Sequence, residues 1–301
     1  MRMAPLVLVL GAAAVLLAAL LVTVAVPMNI SYLYEPSDIA RPLNEKQLEG
    51  KKIYMREGCW YCHTQQVRDL PQDALAFGGR VSLPGDYAYD RPVLLGTERT
   101  GPDLALIGGK YSDDWHLAHF INPRYTVPAS LMPRFDYLSR DELEALIAYV
   151  QSLGGKPADE RAMMQRKMKE MMLKALETGE EERMMEARVP ADFRKLKNPV
   201  LPTQAGVEEG RAVFEFNCVG CHGSRGDGDG PAAEFLDPKP ADFTDPGFMN
   251  EVSDGRLYYS ILFGIPGTAM HPFGDKLTVD EIWNVINYLR TLPEEKQKEA
   301  P

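Results

Sequence analysis

Cysteine is scarce in this 301-residue chain: there are four, and none stands outside two short motifs. Basic residues are too few to match the acidic ones, 33 Lys and Arg against 43 Asp and Glu, which argues against a nucleic-acid partner. No acid–base pair or nucleophile with motif support occurs, so no independent catalytic centre is expected. Charge is absent altogether from Ala4 to Val26. What remains is a globular composition, long enough for two ordinary domains.

The four cysteines lie in Cys59-Trp60-Tyr61-Cys62-His63 and Cys218-Val219-Gly220-Cys221-His222. C-x-x-C-H is the attachment signature of c-type haem: two thiols on one helical turn reach the two vinyl groups of one porphyrin, and the adjacent imidazole lies under the iron. Two covalently bound haem c groups are predicted. A zinc site would need the two pairs to converge across the long intervening sequence. A redox dithiol has no use for a His after each pair, and the same His residues argue against a structural disulfide.

The uncharged run from Ala4 to Val26 would form a helix about 34 Å long, enough to cross a bilayer. A cleaved signal peptide is the alternative, but the apolar run is long and Pro27 sits where cleavage would be expected. Arg2 favours a cytoplasmic N-terminus. The expectation is a single-pass inner-membrane anchor with the globular part on the periplasmic or extracytoplasmic side. Residues 201–301 carry 17 acidic against 8 basic side chains, which suits steering of a basic donor as well as ordinary solubility.

The two globular halves repeat one plan. Gly50-Lys51-Lys52-Ile53-Tyr54 precedes the first motif and Gly210-Arg211-Ala212-Val213-Phe214 the second, each within a helical pattern running into the Cys. Further on, Ser139 with Glu142 and Thr278 with Glu281 form capping boxes. Apolar positions then recur at helical spacing, Leu143, Leu146, Ile147 and Val150 in one half and Ile282, Val285, Ile286 and Leu289 in the other. Gly154-Gly155 and Pro293 should end these helices, and Tyr149 and Tyr288 should pack on Tyr54 and Phe214.

This order resembles the class I cytochrome c fold in both halves. The implied protein is mainly α: a transmembrane anchor (1–27), a cytochrome c domain (28–155), a Met-rich charged helical linker (156–200) and a second cytochrome c domain (201–301). The family completes the iron with a Met before the last helix. Met270 is the candidate in the second half, where Met249 is the only other Met between motif and closing helix; Met132 is the only one in the first. His116 or His119, three apart on an expected helix, rivals Met132, with packing or haem-propionate contact as their other use. His271 is expected to point away from the iron.

The first half is similar in longer stretches to the mono-haem subunit II of cbb-type haem-copper oxidases. These are Ile53 to His63, Arg99-Thr100-Gly101-Pro102-Asp103-Leu104, Gly109 to His116, Asn122-Pro123-Arg124 and Val127 to Pro133. The resemblance implies a subunit anchored beside a membrane-embedded haem-copper catalytic subunit, with further cytochrome subunits and a soluble redox donor as possible partners, and with the Pro102 carbonyl holding His63. The second cytochrome, whose Gly226 to Pro231 loop and Pro238-Lys239-Pro240 resemble small class I carriers, is a departure from that subunit. A nitric oxide reductase subunit and a free-standing shuttle are the alternative functions. In the linker, Met164, Met168, Met171 and Met172 should share a helical face, laid on a neighbouring subunit or domain or else binding copper(I).

Overall fold

The computed structural model describes residues 4–294, among which there is no β-strand. Arg2, on which the orientation reading rests, lies outside them. In chain order the helices are α1 (Ala4–Leu20), α2 (Val26–Met28), α3 (Glu45–Arg56), α4 (Pro71–Ala76), α5 (Asp113–Ile121), α6 (Arg140–Ser152) and α7 (Gly155–Thr178). They continue as α8 (Glu181–Arg188), α9 (Ala191–Arg194), α10 (Gln204–Asn217), α11 (Val219–His222), α12 (Pro246–Glu251), α13 (Asp254–Phe263) and α14 (Val279–Leu289). A π-helical turn, Leu21–Ala25, joins α1 to α2. The resulting helix from Pro5 to Met28 is not buried against the rest of the chain, is about 36 Å long, and could span a membrane.

Each half is built on one crossing of helices, α3 with α6 and α10 with α14. Glycine makes both crossings close. A Cβ on Gly50 would lie 1.8 Å from the Ala145 carbonyl oxygen, and one on Gly210 2.0 Å from that of Asn284. Around the contacts, Tyr54 meets Tyr149 edge-on at 5.2 Å, and Phe214 meets Tyr288 at 5.4 Å. Ile53, Leu146, Ile282 and Ile286 are fully buried beside them, each contributing about 1.5–3 kcal/mol. Gly50→Ala or Gly210→Ala should therefore destabilise its half by about 1–3 kcal/mol through overpacking. Thermal melting of the haem-loaded chain measures this; an unmoved transition would contradict the close crossing.

Both expected capping boxes are present, Ser139 with Glu142 and Thr278 with Glu281. A third, Asn44 with Gln47, starts α3. Two local expectations are corrected. In the first half the opening helix does not run into the motif: it stops at Arg56, because Gly58 is left-handed (φ 72°) and turns the chain into a 3-10 turn at Cys59–Tyr61. Gly154 and Gly155 also have positive φ and do separate α6 from α7, but Gly155 is already the first residue of the second of these helices.

The connector is three helices, and it lies on its own chain. Ala158, Ala162, Met172 and Ala175 form the buried face of α7, while Met164 and Met171 are exposed, so the expected four-methionine seam is not the one used. Along the first half Arg161 donates to the Gly108 carbonyl (3.0 Å) and Arg166 pairs with Asp113 (2.7 Å). Along the second, Glu182 of α8 pairs with buried Arg256, and Phe193 of α9 packs edge-on against Tyr259 at 5.0 Å.

Candidate functional site

The two C-x-x-C-H turns have the same internal bonds. The His63 N–H donates to Cys59 O (3.0 Å), and that of His222 to Cys218 O (2.9 Å), so each imidazole stands one turn beyond the first Cys. No disulfide joins any of the four cysteines. In the polypeptide alone, burial pushes the thiols of Cys59 and Cys218 up to about 12 and that of Cys221 to about 11.

Each ring is held through Nδ1. His63 donates to the Pro102 carbonyl at 2.8 Å, as the resemblance implied, and Gly101 must be glycine because a Cβ would fall 2.2 Å from the ring. His222 donates to the Ala241 carbonyl at 3.2 Å and stacks on Phe243 at 4.7 Å. A carbonyl can only accept, so Nδ1 carries the proton and Nε2 is left as the ligating lone pair. Burial lowers the pKa of both imidazoles, to about 4 for His222, with the carbonyls opposing the shift. Both rings are neutral at pH 7, the form that binds a metal.

Met132 packs against the first core together with Cys59 and Trp60; Met270 packs against the second together with Cys218 and Val219. Each Met is held by a hydroxyl two residues earlier: Ser130 Oγ accepts from Met132 N (3.2 Å) and Thr268 Oγ1 from Met270 N (3.1 Å). Sequence reasoning overlooked that shared turn, although Ser130-x-Met132 and Thr268-x-Met270 spell it out. Met249 is buried in the second core.

His116 and His119 lie on α5 with Trp115. The indole is sandwiched between Tyr111 (3.9 Å) and the His119 ring (4.6 Å), and His119 Nδ1 is 2.6 Å from Thr126 Oγ1. Burial holds His116 near pKa 4 and His119 near 3. Trp115 Nε1 and His116 Nε2 are buried polar atoms without a partner among the described residues. From the other half, His271 reaches this cluster, edge-on to Tyr111 at 5.5 Å and to Trp115 at 6.0 Å.

The halves also meet at the second motif. Ala118 of α5 packs with Ala232 and Leu236, and Tyr125, Cys221 and Phe235 close around them. Gly220 touches the Tyr125 backbone so closely that a Cβ would lie 1.9 Å from its carbonyl oxygen. Phe235 stacks on Tyr125 at 6.5 Å and also reaches the first core, against which Met132 and Cys59 pack.

Two half-domains, each with a C-x-x-C-H turn, a carbonyl-tethered imidazole and a loop methionine packed on the same core as its first Cys, define a cytochrome c protein. Residues 1–144 match the family described as cytochrome c oxidase, mono-heme subunit/FixO, and residues 207–293 match the cytochrome c family. The first half is thus similar to the FixO-type mono-haem oxidase subunit, and the second half carries a further cytochrome c domain. Covalently bound haem c is implied, as is a role as a membrane cytochrome c electron-transfer subunit of an oxidase-type complex, associated with a haem-copper catalytic subunit. No curated protein matches the chain significantly. Among solved structures, the reducing HAO-like protein complex Kustc0457/Kustc0458 of Kuenenia stuttgartiensis aligns at 22% identity and a TM-score of 0.30, over 85% of this chain and 99% of that one.

Proposed function

We propose that the chain is a two-haem relay: a soluble donor delivers an electron at the second domain, the electron crosses to the first, and the first passes it to the catalytic subunit of a cbb-type oxidase. The observation that supports this is the seating of Gly220 and Cys221 directly on Tyr125 and Ala118, which brings the second attachment turn onto the first domain. Phe235 continues the contact to the core that packs on Met132.

Each haem c, when bound, supplies a one-electron iron couple. The residues fit two of them. Cys59 and Cys62 would form the thioethers of the first, with His63 and Met132 as its axial ligands; Cys218, Cys221, His222 and Met270 would do the same for the second. Pro102 and Ala241 fix the imidazoles, and ligation by His and Met together would favour reduced iron. Trp115 Nε1 is an unpartnered buried donor and His116 Nε2 an unpartnered buried ring nitrogen, and both are open to porphyrin carboxylates. The His119 ring is already engaged with Trp115 and Thr126, which favours Met132 over it as the sixth ligand. On this reading the anchor lies in the inner membrane with both domains on the periplasmic side.

Purification in mild detergent tests the whole reading. The expected result is a mass gain of two haem groups on this chain, co-purification with haem b, and oxygen consumption driven through it. A gain of one haem, release of the chain alone, or consumption of nitric oxide in place of oxygen would each overturn it.

A further inference from the structure

The loop that carries Met270 is closed on itself. Ile265 N donates to Met270 O (2.8 Å), and Thr268 donates to Ile265 O through its N–H (3.1 Å) and its hydroxyl (2.8 Å). Gly264, left-handed at φ 70°, lets the returning strand of the loop pass: a Cβ there would lie 2.6 Å from Met270 O. These bonds leave the Gly267 N–H and the Pro266 carbonyl at the apex without a partner inside the loop.

Both are met by the connector. Gln165 Oε1 on α7 accepts from Gly267 N, and Arg188 on α8 donates to Pro266 O at 3.5 Å. The fit is tight against backbone: a Cβ on Gly267 would lie 2.5 Å from Lys169 N and 2.7 Å from the Met168 carbonyl carbon. The next turns of α7 are fastened to the first domain. Arg166 pairs with Asp113 and Lys169 with Asp114, and Asp114 also accepts from Asp237 N of the second domain (3.3 Å). The Met132 loop differs: Leu131 beside it is 80% exposed, and Ser130 is the hydroxyl that braces the Met from within the loop itself.

We infer that Gln165 is a positioning residue for the Met270 thioether, and that the connector is a splint which sets how firmly the second domain holds its axial ligand. This rests on the two-haem reading above. The physical argument is the loss of one buried acceptor. Without Gln165 the Gly267 N–H is left in a covered site with no partner, and the apex gains by moving out to water. The loop then opens more often, and Met270 moves with it because Ile265 and Met270 share a backbone bond.

The test uses the full haem-loaded chain and imidazole as a probe that replaces an axial thioether. Displacement is monitored by the shifted methyl signal of each axial Met in the oxidised protein, assigned by which signal is lost in Met270→Leu. In Gln165→Ala, displacement at the second site should speed up about fivefold, while the first site stays unchanged. Gln165→Glu keeps an acceptor oxygen and should restore the slow rate. Gly267→Ala, which meets α7 backbone, should accelerate the second site even if Gln165→Ala is poorly produced. An unchanged second site, or an equal rise at both, would overturn the inference alone. Fewer than two axial methyl signals in the unaltered chain would overturn the two-haem reading and this inference with it.

Discussion

His222→Ala, purified in the intact complex, is expected to abolish reduction of the first haem by the soluble donor while leaving its reduction by a small artificial reductant complete. The imidazole is the one metal-binding nitrogen in its turn, held for that role by the Nδ1 bond to Ala241. Reduction kinetics measured at each haem would show this. If the donor still reduced the first haem at the normal rate, the second domain would not be the point of entry. His63→Ala gives the mirror result: the second haem fills with electrons that have no exit, and oxygen consumption stops.

The second large effect concerns the contact between the domains. Gly220→Val would drive two methyl groups into the Tyr125 carbonyl, where even a Cβ would sit at 1.9 Å. Overpacking of this kind costs about 1–3 kcal/mol, which weakens domain docking by roughly fivefold to 150-fold. Photoreduction of the second haem, with the arrival of the electron at the first as readout, should show a correspondingly slower transfer, while both haems keep their own absorption spectra. An unchanged transfer rate would mean that electrons cross elsewhere. Haem content of the variant, measured alongside, checks that Cys218 and Cys221 still attach their group.

Much of this was readable from residue order because the signals were local. The C-x-x-C-H pentapeptides, the capping boxes at Ser139 and Thr278, and the helical spacing after them each depend on neighbours within a turn or two. The aromatic pairs across the helix crossings came from the repeat, since both halves place a ring at the same step. The break before Cys59 was signalled by Gly58, but the parallel with the second half, where α10 runs through to the motif, hid it. What could not be read was how the halves dock. Ala118, Gly220 and Tyr125 carry no special chemistry, and only the fold brings them together. The same holds for the connector: its methionines drew attention by number, whereas two alanines, Ala158 and Ala162, lie on its buried face beside the first domain.

The covering of Gly220 and Cys221 has a kinetic meaning. A free carrier must find its acceptor by diffusion, at a rate set by its abundance and by salt; under the proposed relay that encounter would be replaced by the contact between the two halves, kept by the splint of α7. Linked modules of this kind see each other at an effective concentration of about millimolar or above. The internal hand-over should therefore be indifferent to how crowded or how saline the surrounding compartment becomes, leaving only the arrival of the outside donor exposed to those conditions.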